Sequence, residues 1–245
     1  MNKGICNVSV APVRADTTDT SEIITEILYG ESADILEFQR NWVKIKMHYD
    51  GYEGWMDVKQ VTLIEDDFLA KRKTYLIAEP FQSYVQDSGK ILLSIGSEVS
   101  FYTIYAKRSP KRGINLRQSI VETAQEFLNV PYRWGGKSFF GIDCSGLVQL
   151  VLKIHGIKMP RDAYQQAERG IPLSFVEESQ PGDLAFFENP EGRIIHVGFM
   201  LENSDIIHAH GKVRIDSLDS LGIFNQEQNK HTHKLRFIRN ILDEC

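Results

Sequence analysis

Cys144 is the residue whose surroundings point most directly to chemistry. It stands in the run Gly-Ile-Asp-Cys-Ser-Gly, and an apolar stretch typical of a buried helix begins at it. A thiol in the first turn of a helix lies at the positive end of the helix dipole, so we expect this position to favour the thiolate. The small residues Ser145 and Gly146 leave the sulfur room to meet a substrate. Most free cysteines are buried small apolar residues, but this context favours a nucleophile, whereas Cys6 and Cys245 lack it.

A nucleophilic cysteine needs a general base, and two histidines in the last third of the chain are candidates. His196 interrupts an apolar strand-like run, Ile-Ile-His-Val-Gly-Phe-Met, where a core histidine with satisfied hydrogen bonds is the alternative. His208 follows 12 residues later, beyond the turn signal Glu-Asn-Ser-Asp. A hairpin of that length places the two histidines side by side, so we predict a Cys-His-His triad in which His208 orients His196.

Metal binding is the competing use of these histidines. His208 and His210 would share one face of a strand, but there is no third ligand at a recognisable spacing and no HExxH or CxxC motif. We therefore predict neither a metal nor a cofactor. The remaining histidines have no comparable context, and we expect them at the surface: His48, His155, His231 and His233.

The elements that must position these residues change type along the chain. Residues 1–64 contain short apolar runs with turn signals between them, including Asp50-Gly51, and predict a small all-β barrel. Residues 65–111 predict a β-rich connector or a degenerate second unit, with a last strand over 98–106 and a Pro/Gly-containing break at 109–113. Residues 112–245 predict an α+β domain.

Within that α+β domain, helices precede strands. Apolar residues at helical spacing predict a helix over 115–128, and a second helix, apolar nearly all round, begins at or just after Cys144 and ends at Gly156. Five strand-like runs after residue 180 predict an antiparallel sheet. We expect the polar stretch 217–234 to form a loop over the cleft.

Charge and composition exclude several classes of function. The chain has 245 residues with 28 Lys and Arg against 33 Asp and Glu, a net charge of −5, so a nucleic-acid partner is not expected. The sequence contains no stretch of about 18 apolar residues, so we predict no membrane-spanning helix. The first 20 residues lack the apolar core of a secretory signal, and three cysteines form no disulfide pattern. These features favour a cytoplasmic protein, the alternative being an exported protein whose leader is missing from this sequence, and we expect a monomer.

The motifs taken together resemble the NlpC/P60 family of cysteine peptidases, which has a papain-like fold with a permuted core. The matching motifs occur in the family's order: PYRWGG at 131–136, DCSG at 143–146, MPRDAYQQ at 159–166, PGDLAFF at 181–187, HVGF at 196–199 and IIHAHG at 206–211. The resemblance implies Cys144, His196 and His208 as the triad. It also implies that Tyr132 lines the site, while Asp143, Ser145 and Asp162 hold a substrate ammonium.

The front of the chain resembles a bacterial SH3 (SH3b) domain, through SEIITEILYGE at 21–31 and DGYEGWM at 50–56. An SH3b domain ahead of NlpC/P60 resembles the γ-D-glutamyl-L-diamino acid endopeptidases of murein peptide recycling. That resemblance implies that Glu22 and Tyr52 complete a pocket for tri- or tetrapeptides with a free N-terminal L-alanine. Glu22 and Asp162 could also be solvated carboxylates, and Tyr52 could be a core aromatic.

The resemblance implies hydrolysis of the γ-D-glutamyl–diamino acid amide, and two other functions stay open at this point. One is a wall-binding protein whose SH3b portion docks on peptidoglycan while the second domain is inert. The other is an amidase or acyltransferase that uses the same Cys-His-His site, because the pocket chooses the acyl acceptor.

Overall fold

The computed structural model describes residues 2–86, 89–100 and 115–242, which divide into two compact units. The first unit comprises Met1–Arg108 together with Arg133–Gly141, and the second comprises Ser109–Tyr132 together with Ile142–Cys245. The predicted division at residues 64 and 111 stays a prediction.

The first unit begins with seven strands in one antiparallel sheet. Their order is β3-β2-β6-β5-β4-β1-β7, and residues of six of them share one core, so the sheet curves around it. At the predicted Asp50-Gly51 turn, Gly51 has φ of 77°, a left-handed conformation that favours glycine. The predicted all-β front region is therefore confirmed. Its strands are β1 Lys3–Cys6, β2 Val10–Arg14, β3 Ile23–Leu28, β4 Ser32–Gln39, β5 Trp42–Met47, β6 Glu53–Asp57 and β7 Val61–Ile64.

The next part of the first unit consists of a short helix and two strand pairs. Strand β9 pairs with β10, and β8 pairs with β11, both antiparallel. The strand predicted over 98–106 is present at Glu98–Val99, whereas its residues 101–106 and the predicted break at 109–113 lie outside the described residues. The elements are α1 Phe68–Lys71, β8 Tyr75–Leu76, β9 Phe81–Gln86, β10 Gly89–Ser94 and β11 Glu98–Val99.

Residues 133–141 belong to the first unit although they follow the second helix of the chain. This segment contains β12 Lys137–Ser138 and leads into β13 Gly141–Ile142. The ammonium of Lys137 binds the carboxylate of Glu31 at 3.1 Å, and both side chains are almost completely buried. Glu26 of β3 accepts hydrogen bonds from Arg133 and from the Lys137 main chain. Carboxylates of the front strands therefore hold this segment.

The second unit contains three helices followed by an antiparallel sheet, so the predicted order of helices before strands is confirmed, and α4 is a short helix beyond the two that were predicted. The sheet order is β14-β20-β15-β16-β17-β18-β19, and a further pairing of β19 with β20 closes a ring of six strands. The helices are α2 Leu116–Gln125, α3 Cys144–Ile154 and α4 Ala163–Gln166. The strands are β14 Ile171–Pro172, β15 Leu184–Glu188, β16 Ile194–Met200, β17 Asp205–His210, β18 Lys212–Leu218, β19 Gly222–Asn225 and β20 Lys230–Asn240.

Helix α3 is the buried helix predicted from the apolar run, and it packs on β16 and β17. Asp143 caps its start by accepting a hydrogen bond from the Gly146 N–H at 2.7 Å. Gly156, with φ of 77°, ends it in a Schellman arrangement in which the Ile157 N–H bonds the Leu152 carbonyl. In the described part of the chain, no helix combines the length and apolar character needed to cross a membrane.

The prediction of a loop over 217–234 is wrong, because this stretch contains the end of β18, all of β19 and the start of β20, three strands of the ring. Phe224 of β19 pairs with His231 of β20, and the chain turns between them through Asn229, which has φ of 49°. Most of the stretch's polar residues are exposed or half-exposed. A strand that exposes polar side chains on one face lacks the apolar run by which the other strands were recognised.

Candidate active site

Cys144 is the first residue of α3, and it is buried. The residue is 7% exposed, whereas Leu147 and Val148 of the same helix are fully buried. Burial raises the pKa of the thiol to about 12, and hydrogen bonds from the Val197 and Ser145 main chain oppose that rise only in part. The expectation that the helix end favours the thiolate is therefore not supported, because burial, followed by the charge of Asp143, raises the pKa of this thiol.

His196 and His208 lie together, as predicted. Nε2 of His196 is 2.8 Å from Nδ1 of His208, and the rings meet edge to face. They are diagonal neighbours across β16 and β17, because the residue directly opposite His208 is Gly198. A Cβ added to Gly198 would lie 2.8 Å from the Cβ of His208, so only glycine leaves room for that imidazole. Burial lowers the pKa of His196 well below its ordinary value.

A carboxylate lies behind His208, on the side away from His196. Nε2 of His208 is 3.0 Å from Oδ2 of Asp216 on β18. Arg214 donates to both oxygens of Asp216, at 2.7 and 2.9 Å, and a further nitrogen of Arg214 binds Glu227 at 3.0 Å. Burial lowers the pKa of His208, while the hydrogen bond to Asp216 acts in the opposite direction. The contacts therefore run from His196 through His208 to the carboxylate of Asp216, which Arg214 holds in place.

His233 belongs to the same cluster of rings, and the prediction that it lies at the surface is wrong. Its imidazole stacks on that of His196 with centroids 4.2 Å apart, and His210 meets it edge to face at 4.8 Å. Burial, followed by the charges of His208 and His210, lowers the pKa of His233 to about 3. The ring is therefore neutral at physiological pH and covers one face of His196.

Two side chains from the 159–166 motif hold the first turn of α3. Arg161 forms a two-pronged ion pair with Asp143, with distances of 2.6 and 3.0 Å, and also donates to the Ser145 hydroxyl at 2.9 Å. Gln166 donates to the Ser145 carbonyl at 3.0 Å. These polar groups are all buried, so the position of Cys144 rests on a buried ionic and hydrogen-bonding network.

The structure brings the remaining predicted residues of the second unit near this network. Tyr132 is half-buried, and burial, followed by the charges of Cys144 and Asp143, raises its pKa to about 12. Asp162 precedes α4, where its carbonyl accepts hydrogen bonds from Gln165 and Gln166. The substrate contacts implied for Tyr132, Asp143, Ser145 and Asp162 stay predictions.

Glu22 and Tyr52 belong to the first unit. The exposed carboxylate of Glu22 accepts a hydrogen bond from the indole of Trp134 at 2.6 Å. Tyr52 is half-buried and packs against the core of the front sheet. Their predicted contribution to a substrate pocket stays a prediction.

The arrangement in the second unit can perform nucleophilic chemistry on a carbonyl. It contains a thiol at a helix start, a neutral imidazole with one nitrogen committed to a second imidazole, and a carboxylate beyond that. Across residues 2–86, 89–100 and 115–242, no three His, Cys, Asp or Glu side chains are arranged to hold a metal ion.

Sequence reasoning missed Asp216, His233 and Arg161. A signal for Asp216 existed: Gly211 marks a tight turn, which sets Arg214 opposite His208 and Asp216 diagonal to it. His233 had no comparable signal, because it reaches His196 from β20, which pairs with β15 and not with β16. Arg161 is isolated in sequence from Asp143, and only folding pairs them.

Comparison with known proteins agrees with both predicted halves. The model of the NlpC/P60 family matches residues 129–232, and a model described as the bacterial dipeptidyl-peptidase Sh3 domain matches residues 13–61. The predicted order, an SH3-type region ahead of an NlpC/P60 region, is therefore confirmed.

Individual relatives extend this agreement over most of the chain. The γ-D-glutamyl-L-lysine dipeptidyl-peptidase of Bacillus subtilis (strain 168) is 29% identical over 218 residues, which cover 76% of this chain and 72% of the relative. The probable endopeptidase NlpC of Escherichia coli (strain K12) is 34% identical over 110 residues, 42% of this chain and 71% of the relative. A crystal structure of an NlpC/P60 family protein from Bacillus cereus ATCC 10987 matches with a TM-score of 0.81 at 21% identity, over 98% of this chain and 99% of that one, and so agrees in fold.

Proposed function

Because this chain belongs to the NlpC/P60 family of cysteine peptidases, we propose that Cys144 is its nucleophile, His196 its general base and His208 the group that orients His196. The observation that carries this assignment is the contact of 2.8 Å between His196 Nε2 and His208 Nδ1. It leaves Nδ1 of His196 to accept a proton. A hydrogen bond from the main chain of Val197, the residue after His196, acts to lower the pKa of the Cys144 thiol, which supports pairing this strand with the thiol.

The reaction follows from these positions. The thiol passes its proton to Nδ1 of His196 as the sulfur attacks the amide carbonyl, and main-chain N–H groups at the start of α3 stabilise the oxyanion. His196 returns the proton to the leaving amine, the C–N bond breaks, and a thioester remains on Cys144. Water then attacks the thioester with His196 as base, which releases the acid and restores the thiol.

We propose as substrate the γ-D-glutamyl–diamino acid amide of murein tri- or tetrapeptides with a free N-terminal L-alanine. Support comes from the name of the Bacillus subtilis relative and from the match of residues 13–61 of this chain to a bacterial dipeptidyl-peptidase Sh3 domain model. A buried ammonium costs several kcal/mol unless carboxylates pair with it. Glu22, Asp143 and Asp162, with Ser145, Tyr52 and Tyr132, are the proposed pocket residues.

The cleavage is tested by incubating the protein with L-Ala-γ-D-Glu-diaminopimelate and L-Ala-γ-D-Glu-L-Lys and identifying products by mass spectrometry. We expect release of the free diamino acid, and loss of that release in Cys144→Ala. Cys6→Ala is the matched control, because among the described residues Cys6 is the second buried free thiol, and it lies in the front core. Intact substrate with the wild-type protein, or turnover by Cys144→Ala, would reject the proposal, and transfer products in place of acids would show an acyltransferase.

The free-amine requirement is tested separately. N-acetylation of the alanine removes the ammonium, and we expect kcat/KM to fall at least about 100-fold. Glu22→Gln and Asp162→Asn should each raise KM for the free peptide, whereas Glu53→Gln, an exposed carboxylate paired with Lys46, should not. Equal cleavage of the acetylated and free peptides would contradict the pocket assignment while leaving the peptidase activity intact.

We also propose that the protein works in the cytoplasm, on peptides recovered from the wall. Support comes from the two described cysteines, Cys6 and Cys144, which are free thiols as expected in a reducing compartment. Fractionation of cells followed by immunoblotting tests the location. Recovery of the protein from the culture medium or the wall fraction would contradict it.

A further inference from the structure

The contact between His208 and Asp216 determines where the protons of the two catalytic histidines must lie. His208 is completely buried and Asp216 is 6% exposed. Hydrogen bonds from His208 and Arg214 outweigh burial and lower the pKa of Asp216, so its carboxylate is ionised at neutral pH. An ionised carboxylate accepts hydrogen bonds and cannot donate them.

The proton on His208 therefore has one permitted position. Burial lowers the pKa of His208 below 6.5, so the ring is neutral at neutral pH and carries a single N–H. If that N–H were at Nδ1, the bare Nε2 would face Oδ2 of Asp216 at 3.0 Å, and two acceptors would oppose each other. The N–H is consequently at Nε2, and Nδ1 of His208 is an acceptor.

The bare Nδ1 of His208 in turn fixes the proton of His196. Its Nε2 lies 2.8 Å from the bare Nδ1 of His208, so Nε2 of His196 must carry the proton that joins them. Nδ1 of His196 is then bare. We propose that Asp216 is a positioning residue that, through His208, holds His196 in the tautomer with a free Nδ1, the form able to take the proton of Cys144. This inference rests on the proposed function and adds a fourth member to its triad.

Arg214 fixes the carboxylate in the required orientation. It donates to both oxygens of Asp216, and Asp216 lies on β18 beside the strand of His208. A carboxylate held by two such bonds cannot rotate away from the imidazole without breaking them. The neighbouring pair Asp219 and His231, 2.8 Å apart, is a histidine–carboxylate contact of the same kind that does not touch His196 or His208.

Tautomers are read directly by 15N NMR of the imidazoles in the full-length protein, without any substrate. We expect His196 and His208 both to show a protonated Nε2 and a bare Nδ1. In Asp216→Ala this pattern should be lost at His208, whereas Asp219→Asn should leave it unchanged. A wild-type His196 with its proton on Nδ1, or an unchanged pattern in Asp216→Ala, would overturn the proposal.

Kinetics supply the second readout. Asp216→Ala should lower kcat on the order of 10- to 100-fold with KM within about threefold, because the base loses its tautomer while the pocket stays intact. Asp216→Asn should recover part of this loss, because its amide oxygen can still accept from His208. A kcat of Asp216→Ala within twofold of Asp219→Asn would contradict the role.

These readouts separate the possible failures. Should Asp216→Ala not fold, as judged by circular dichroism, the wild-type tautomers and Asp216→Asn still decide the assignment. Should the wild-type protein cleave none of the murein peptides, the proposed function fails. The NMR pattern would still test which ring nitrogens of His196 and His208 carry protons. Normal cleavage by the wild type and by Asp216→Ala would leave the peptidase proposal standing and remove Asp216 from it.

Discussion

Arg161→Met is the substitution that most directly tests how Cys144, the proposed nucleophile, is held in position. Arg161 and Asp143 have side-chain exposures of 2% and 9%, and the closest contact between them is 2.6 Å. At an effective dielectric constant of about 20, a pair roughly 3 Å apart attracts by about 5 kcal/mol, and the cost of removing both charges from water offsets much of that gain. Removal of the cation alone leaves the carboxylate buried without it. We therefore expect the free energy of unfolding to fall by about 3–5 kcal/mol.

The assay is urea denaturation followed by far-ultraviolet circular dichroism, with a double substitution to isolate the charge effect. Arg161→Met combined with Asp143→Asn removes both charges and keeps an oxygen that can cap α3, so most of the lost stability should return. Lys234→Met is the control, because its ammonium is largely exposed in its contact with Glu188, and it should unfold close to the wild type. A loss below about 1 kcal/mol for Arg161→Met, or no recovery in the double variant, would refute the reasoning.

Three further predictions concern the cluster of rings and the thiol. Gly198→Ala places a Cβ 2.8 Å from that of His208, so kcat should fall at least about 10-fold while KM changes little, and unchanged kcat would contradict the required close approach. Because burial lowers the pKa of His233 from 6.5 to about 3, the unfolded chain binds a proton that the native state refuses over this range, and the free energy of unfolding should fall as pH drops from 6.5 towards 3. In His233→Gln, the urea concentration at the unfolding midpoint should change less with pH between 6.5 and 3 than it does in the wild type. A slope equal to that of the wild type would contradict the lowered pKa of His233. The raised pKa of Cys144 predicts that wild type and Cys144→Ala have equal thiolate absorbance in the ultraviolet at neutral pH, and an excess in the wild type would show a resting thiolate.

Much of the fold of the second unit could be predicted because its signals are local. The apolar run after Cys144 and the glycine at position 156 define a buried helix, and the structure has that helix at Cys144–Ile154. The apolar runs around His196 and His208 predict two strands for the same reason, and the structure has them as β16 and β17. A strand that exposes polar residues carries no such signal, so the polar sequence of 217–234 predicts a loop where the structure has strands.

The electrostatics of the site could not be predicted from the same signals. Position at a helix end argues for a thiolate, but the burial that reverses this depends on how α3 packs against β16, which no local pattern encodes. Pairing of Arg161 with Asp143 and stacking of His233 on His196 likewise join residues far apart in the chain. Residues 133–141 follow the same rule, because buried carboxylates of the front sheet recruit them to the first unit.

The opposed pKa shifts of Cys144 and His196 have a common consequence for the chemistry. Burial raises the pKa of the thiol and lowers the pKa of the imidazole, so the resting pair is neutral. In the proposed mechanism, transfer of the proton from Cys144 to His196 creates two opposite charges in a site of low dielectric, where each stabilises the other more than it would in water. The imidazolium that forms is joined through His208 to the carboxylate of Asp216. The thiolate is therefore favoured when an acyl carbon is present to receive it, and in its absence the neutral sulfur is a poor target for oxidation or alkylation.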